Sequence, residues 1–338
     1  MEAGKSTGRV FATKLLNGKV ALLLVITVAV VVVFWLIDPN YLSSTNVLGI
    51  LRIASFIGLL GLGVGLLLIS GQIDLSTGAV AVFSAVLVAI LMREGMAWPL
   101  AVLITILFGA VAGGLTAVLV NGLGMMAFIA TIGLMSVWSG LALVLTRANP
   151  VMISNEGFWA LASPRFFGTI PILFVILVAL IILYGFILSK TKFGRSVYMV
   201  GGNKDAARLA GINPKKIQSI LFINSGAISA LCGILFASNF RRGDPAASAW
   251  GMDAITAAVL GGISFNGGAG GTGGFLVGLL LLNFFNNGLI AVGIGSYWQI
   301  FARGALLILA LLLDFFRDKQ RQKMLRAGAA EVAASKSH

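Results

Sequence analysis

A glycine-rich stretch, NGGAGGTGG, has the spacing of a nucleotide-binding loop, with G-x-G-x-x-G at Gly268, Gly270 and Gly273. Such glycines bind a dinucleotide only when a strand precedes them, a helix follows and an acidic residue lies about 20 positions further on. Apolar helical sequence flanks the stretch on both sides, and after Asp253 the next acidic residue is Asp314. No Lys follows the glycines, so a P-loop is excluded as well. The sequence therefore predicts no nucleotide site here, and the glycines need another role.

Asp74, in the sequence GQIDLSTG, lies between two long apolar segments. An acidic side chain in that setting is a candidate for proton or ion coupling. Asp74 or Ser76 can instead cap the helix that follows and complement its dipole, which is the role that we favour. Arg52 and Arg303 lie near the ends of apolar segments without an obvious acidic partner. We expect both to extend to the membrane interface.

The chain lacks the clusters of side chains that catalysis or metal binding requires. It contains one His, His338, and one Cys, Cys232. We therefore predict no catalytic residue, no metal site and no cofactor in this chain, and no disulfide within it.

The composition is that of a membrane protein. The 338 residues are 59 % hydrophobic and 10 % charged, with a mean hydropathy of +1.02. The net charge of +13 comes from basic residues concentrated in 5–19, 190–216 and 317–336. This distribution follows the positive-inside rule and favours contact with membrane lipid over nucleic acid.

Ten apolar segments predict an all-α, polytopic fold. They are 20–37, 48–70, 78–92, 99–120, 127–145, 171–189, 217–238, 253–263, 273–293 and 298–316. An even number places both termini on one side, and the basic segments place that side in the cytoplasm. The predicted organisation is a transmembrane domain at 20–316 between cytoplasmic tails at 1–19 and 317–338.

The eighth segment is too short to cross a bilayer. Its eleven residues rise about 16 Å, roughly half of a hydrocarbon core of about 30 Å. A broken or re-entrant element near 253–274 is one interpretation, in which Gly261, Gly262, Gly267 and Gly268 allow closely packed backbone inside the membrane. A flexible cytoplasmic loop is the alternative.

A weak internal repeat relates two stretches of the chain. VNGLGMMAFIATIG at 120–133 is similar to NNGLIAVGIGSYWQ at 286–299. The two stretches end the fourth and ninth segments, so they are five segments apart. Two five-helix halves related as inverted repeats would produce this pattern, and chance similarity between apolar helices would also produce it.

The basic segment 190–216 contains the signals of a short surface helix at 204–210. Asn203 is a suitable N-cap, Asp205 lies in the first turn and Gly211 ends the helix. Lys and Arg in such a helix can contact anionic lipid head groups. Alternatively the helix docks a soluble partner, with Arg208 and Leu209 as contacts.

Three stretches together resemble the permease subunits of ribose-type sugar ATP-binding-cassette importers. They are TKFGRSVYMVGGNKDAARLAGI at 191–212, GQIDLSTGAV at 71–80 and MDAITAAVLGGISFNGGAGGTGG at 252–274. The first is similar to the cytoplasmic coupling loop of that family. The resemblance extends from about residue 48 to residue 314, and Gln72 departs from it where the family commonly has Gly.

The resemblance implies a subunit of the bacterial inner membrane that works with three kinds of partner. These are a cytoplasmic ATPase that holds ATP and Mg²⁺, an extracytoplasmic sugar-binding protein, and a second permease copy or a paralogue. Closure of the ATPase would move the 204–210 helices and switch the access of the pathway. The implied ATPase-coupling residues are Arg195, Gly201, Gly202, Asn203, Asp205, Ala207, Arg208, Leu209 and Gly211.

Polar or aromatic side chains within apolar segments are candidates for the solute pathway. They are Gln72, Asn121, Phe128, Asn283, Asn286 and Asn287. Amides can bind sugar hydroxyls without a charge, but they also join helices to one another. We expect packing for most of them, with Asn121 and Asn287 as the best pathway candidates. A nucleoside or a branched-chain amino acid as cargo, or an ion-coupled secondary transporter, are the alternative functions.

Overall fold

The computed structural model describes residues 18–166, 168–246, 250–295, 297–309, 311–312, 315 and 319. Nearly all of the predicted tails, 1–19 and 317–338, lie outside these residues. The helices are Gly18–Ile37 (α1), Ser44–Ile69 (α2), Thr77–Arg93 (α3), Trp98–Ala117 (α4), Ala127–Thr146 (α5), Glu156–Trp159 (α6), Ile172–Lys190 (α7), Lys192–Gly202 (α8), Lys204–Leu209 (α9), Pro214–Phe240 (α10), Trp250–Leu260 (α11), Thr272–Ala291 (α12) and Tyr297–Leu309 (α13). A 3-10 helix at Pro39–Leu42 follows α1, and a π-helix at Val118–Gly122 continues α4.

The prediction of an all-α membrane protein is confirmed. Among the described residues, seven helices are long and apolar enough to cross a membrane, namely α1, α2, α4 with its π-helical extension, α5, α7, α10 and α12. Three shorter apolar helices, α3, α11 and α13, complete the set. These ten helices correspond one for one to the ten predicted segments.

Two short antiparallel sheets lie in the connections. The strand Val151–Met152 (β1) pairs with Arg242–Gly243 (β4), and Arg165–Phe166 (β2) pairs with Ile170–Pro171 (β3). The first sheet joins the segment after α5 to the end of α10. A cation–π contact between Arg241 and Trp159, at 4.2 Å, strengthens that junction.

The helices α2 and α10 form the centre of the bundle, and α4 packs closely against α10. The contact is made by glycines, because a Cβ at Gly113 would overlap the carbonyl oxygen of Phe222 and one at Gly226 would overlap that of Gly109. Lipid tails are as apolar as Leu side chains, so close backbone approach supplies much of the helix association in a membrane.

One end of the bundle, which we call the basic end, carries α8 and α9. The helix α2 finishes there, since the N–H of Gly268 donates to the carbonyl oxygen of Ile69 at 2.8 Å beside Gly201. The helix α10 begins at the same end, where Gln218 donates to the carbonyl oxygen of Ser70 at 2.9 Å. α2 and α10 are therefore antiparallel.

The eighth segment is a half-length helix, as its sequence predicts. The 11 residues of α11 end at Leu260, and a glycine turn at 261–271 joins α11 to α12. That turn lies at the basic end, beside the end of α2, and the choice between a re-entrant element and a cytoplasmic loop stays a prediction. The hydroxyl of Tyr198 on α8 donates to the carbonyl oxygen of Gly270 at 2.8 Å. Burial raises the pKa of this phenol, which keeps the donor protonated at neutral pH.

The glycines of the turn have two separate structural functions. Gly262, Gly267, Gly268 and Gly270 adopt positive φ, a backbone region that L side chains avoid. Gly261 packs against α12, where a Cβ would lie 2.6 Å from the carbonyl oxygen of Gly274. The motif that resembled a phosphate loop is therefore a tightly folded connection.

Candidate functional site

A cavity of about 340 Å³ opens between the start of α2, the start of α11, the end of α12 and α13. Its volume lies in the range of small-molecule sites. Apolar side chains of α2, together with Trp250 and Ile290, line part of the cavity, and polar side chains line another part. The polar lining residues are Asp253, Asn283, Asn286, Asn287, Gln299 and Arg303.

Three asparagines enter the cavity from one face of α12. Their spacing of i, i+3 and i+4 places them together on a helix. Asn283 donates to the carbonyl oxygen of Leu279 at 2.8 Å, and the buried Oδ1 of Asn286 has no hydrogen-bond partner among the described residues. Asn287 forms a reciprocal amide pair with Asn46 of α2, with distances of 2.9 and 3.1 Å. The structure thus brings together Asn283, Asn286 and Asn287 of the predicted pathway set.

The cavity also contains an ion pair that the sequence interpretation missed. Nη1 of Arg303 lies 3.4 Å from Oδ2 of Asp253, whose side chain is 11 % exposed. The expectation that Arg303 lacks an acidic partner within the apolar segments is therefore wrong. The partner is 50 positions away in sequence, on the half-length helix α11. The sequence does contain one indication of this ion pair, because Asp253 is an acidic residue in the first turn of an otherwise apolar helix.

The other three pathway candidates do not line this cavity. Gln72 donates to Gln218 at 3.2 Å, and Asn121 donates to Ser219 at 3.0 Å, so both amides join neighbouring helices near the basic end. Phe128 is 52 % exposed on α5. Gln72 and Asn121 therefore hold neighbouring segments together, as expected if these amides serve packing. Asn121 does not line the cavity that Asn287 lines.

Asp74 is buried at the start of α3 and is not among the residues that line the cavity. Its Oδ1 accepts from the N–H of Ser76 at 2.9 Å and from the Ser76 hydroxyl at 2.6 Å. This is an Asx-turn that ends at Ser76, the N-cap residue of α3. The Ser76 side chain makes no cap hydrogen bond to the first turn of α3, so the capping role stays a prediction.

At the basic end, α9 presents a polar surface with one large apolar side chain. Asn203 caps α9. Its Oδ1 accepts from the N–H of Asp205 at 2.9 Å and from the N–H of Ala206 at 3.0 Å. Ala207 is fully buried against the bundle, whereas Leu209 is 92 % exposed. Arg208 and Asp205 form an exposed ion pair at 2.9 Å.

The helix α8 precedes α9 and was not predicted. Thr191 caps it by accepting from the N–H of Gly194 at 3.0 Å. Gly194, Val197 and Val200 are buried, at a spacing of i, i+3 and i+6. That amphipathic spacing was the available signal. Arg195 lies on the exposed side of α8, and Gly211 ends the segment after α9 with φ of +78°.

Gly201, at the end of α8, touches the glycine turn and the end of α2 simultaneously. A Cβ at Gly201 would overlap the carbonyl oxygen of Ile69 and would lie 2.6 Å from the amide nitrogen of Gly268. A Cβ at Gly202 would meet no atom within 4 Å. Gly201 is therefore a point of backbone contact between α8, α2 and the turn that joins α11 to α12.

Comparison with known proteins identifies the family. The family described as "Branched-chain amino acid transport system / permease component" matches residues 46–311. The chain belongs to this permease family. The permease is 35 % identical over 287 residues to the ribose import permease protein RbsC of Bacillus subtilis, covering 84 % of this chain and 89 % of the relative. It is 36 % identical over 325 residues to the probable ABC transporter permease protein YphD of Escherichia coli, covering 96 % and 97 %.

A third relative is the L-arabinose ABC transporter permease protein AraH of Azospirillum brasilense. The permease is 32 % identical to it over 288 residues, covering 85 % of this chain and 84 % of the relative. No solved structure matches the permease. The resemblance to sugar permeases that the three sequence stretches indicated is confirmed, and the permease is a transport subunit rather than an enzyme.

Proposed function

We propose that the permease forms the translocation pathway of an ATP-driven importer for a small neutral sugar, and that the cavity between α11, α12 and α13 is part of that pathway. The observation that supports this most strongly is the similarity to ribose and arabinose permeases along most of the chain. The cavity adds physical support, because amide side chains bind hydroxyl groups and the one acidic and one basic lining residue cancel in charge.

The energy comes from partners in this proposal. A separate cytoplasmic ATPase binds ATP and Mg²⁺ and docks at α9, while an extracytoplasmic binding protein delivers the sugar to the other end. A second permease copy or a paralogue completes the pathway. The support from the permease itself is the exposed Leu209 beside an exposed ion pair on a firmly capped helix.

The two halves of the permease are inverted repeats in this proposal. Asn121 lies near the basic end, while Asn287 pairs with Asn46 near the start of α2, at the other end. Opposite placement is what inverted halves require. The short helices α3 and α11 follow the long helices α2 and α10 in the corresponding positions. Their starts meet, since a Cβ at Gly78 would lie 3.1 Å from the nitrogen of Gly251.

Both termini and the basic end are cytoplasmic in this proposal, and cysteine labelling tests the orientation. The only cysteine, Cys232, is fully buried, so new cysteines can be labelled against a low background. We expect a membrane-impermeant maleimide added to intact spheroplasts to label Ser163→Cys but to label Lys204→Cys only after lysis. The reverse pattern would reject the proposed orientation.

Reconstitution tests the proposed function directly. We expect ribose uptake into liposomes when the permease is present with its ATPase, binding protein and ATP, and no uptake when ATP is replaced by a non-hydrolysable analogue. Uptake driven by a proton or sodium gradient without the ATPase would show a secondary transporter instead.

Charge reversal on α9 tests the docking surface. We expect Arg208→Glu and Leu209→Asp each to weaken ATPase binding about tenfold or more, because each introduces an unpaired negative charge at the contact and a tenfold loss corresponds to about 1.4 kcal/mol. Co-purification of the ATPase with the permease measures this. Arg165→Glu, an exposed charge reversal on β2 far along the chain from α9, is the matched control and should leave binding unchanged. Normal co-purification of both α9 variants would rule out docking at this helix.

A further inference from the structure

The charged pair in the cavity wall keeps most of its hydrogen-bonding capacity. Nη1 of Arg303 and Oδ2 of Asp253 are 3.4 Å apart, longer than the roughly 2.8 Å of a close charge-assisted bond. Nε of Arg303 is also 3.4 Å from its acceptor, the carbonyl oxygen of Gln299. A guanidinium has five N–H donors and a carboxylate accepts about four hydrogen bonds, so both groups can bind a third molecule.

The neighbouring amides offer mainly acceptors to that molecule. The Asn283 amide nitrogen is already used by Leu279, which leaves its Oδ1 available to accept. Oδ1 of Asn286 is buried and has no partner among the described residues, so it is not one of the acceptors open to the cavity. The Asp253 carboxylate, Oδ1 of Asn283 and the Arg303 guanidinium remain, which gives two acceptor groups and one donor group at one cavity. Several hydroxyl groups on one molecule satisfy such a set.

The balance of charge in the cavity disfavours charged solutes. Ile50, Ile53 and Ile57 form the wall opposite the polar groups, and an apolar wall strengthens electrostatic interactions inside the cavity. An anion attracted by Arg303 is repelled by Asp253. A cation attracted by Asp253 is repelled by Arg303. Neither gains from the pair, while both lose hydration on entry.

We propose that Asp253 and Arg303 contact the solute directly and select an uncharged, polyhydroxylated molecule. Asp253 accepts from solute hydroxyls and Arg303 donates to solute oxygens. This inference rests on the proposed function and adds to it the two residues that set charge selectivity.

Three matched solutes test the selection. Ribitol, ribonate and 1-amino-1-deoxyribitol share a five-carbon polyol chain and differ at one end, which is neutral, anionic or cationic. Binding to the full-length permease in nanodiscs is followed by fluorescence of Trp250, which lines the cavity. Trp250→Phe is the control that assigns the signal to this site, because the signal should disappear in that variant.

The wild-type permease should bind ribitol at least about tenfold more tightly than either charged analogue, a difference typical of one uncompensated charge. Asp253→Asn leaves a net positive cavity and should make ribonate the preferred solute. Arg303→Gln should make the amine the preferred solute.

The double variant Asp253→Asn with Arg303→Gln carries no charge, so it should prefer ribitol again, with about tenfold weaker binding. It also covers the case in which a single variant misfolds around a lone buried charge.

An unchanged order of preference in the folded single variants would overturn the selection. Misfolded single variants combined with a double variant that binds all three solutes equally would overturn it too. If the wild-type permease shows no ribitol binding while its complete transporter still imports ribose, the cavity assignment fails and the importer function stands. If ATP-driven ribose uptake is itself absent, the proposed function fails.

Discussion

Gly201→Ala abolishes a backbone contact on which the basic end depends, and we expect this variant to lose most of its transport activity. The added Cβ would occupy the position of the Ile69 carbonyl oxygen, which accepts the 2.8 Å hydrogen bond from Gly268. Backbone cannot move aside as a side chain tip does, so the free energy of unfolding should fall by about 3 kcal/mol. The apparent Tm in detergent should drop by about 5 °C or more.

The neighbouring glycine provides a matched control. Gly202→Ala adds the same methyl group one position later, where no atom lies within 4 Å. Its Tm should equal that of the wild type. Equal behaviour of the two variants would mean that the junction of α8, α2 and the glycine turn is not closely packed in the membrane. Thermal unfolding and ATP-driven ribose uptake, measured on the same preparations, make the comparison.

Asp74→Leu should destabilise the permease severely, whereas Asp74→Asn should keep both stability and transport. Leu has a similar size but leaves the buried N–H and hydroxyl of Ser76 without their acceptor, which costs about 3 kcal/mol in the free energy of unfolding. Asn retains an oxygen in that position, which can accept the same two bonds from Ser76.

The same pair of variants separates capping from ion coupling. A side chain that carries a proton must ionise, and Asn cannot do so. Retained uptake in Asp74→Asn therefore supports the capping role. A folded Asp74→Asn variant with wild-type Tm and no uptake would instead assign Asp74 to the transport cycle.

Much of the fold was accessible from the sequence because apolar length is a strong signal. The boundaries of the ten apolar helices agree with the predicted segments to within a few residues over the described part of the chain. The caps of α9 were also readable, since Asn203 and Gly211 act through local geometry. The helix α8 was missed because its apolar positions are few and lie within a strongly basic stretch.

The site was harder to predict because its parts come from distant segments. The spacing of Asn283, Asn286 and Asn287 places them on one helical face, but no local pattern shows whether an amide faces a cavity or another helix. Gln72 and Asn121 look equivalent in sequence and are used to join helices. The Asp253–Arg303 contact depends on how α11 and α13 pack, which sequence periodicity does not encode.

The amide pair of Asn46 and Asn287 joins the start of α2 to the end of α12 beside the cavity with neutral groups. Neutral amides neither titrate near physiological pH nor respond to screening by dissolved ions. The strength of this helix junction should therefore be the same in acidic or alkaline surroundings and in dilute or concentrated salt.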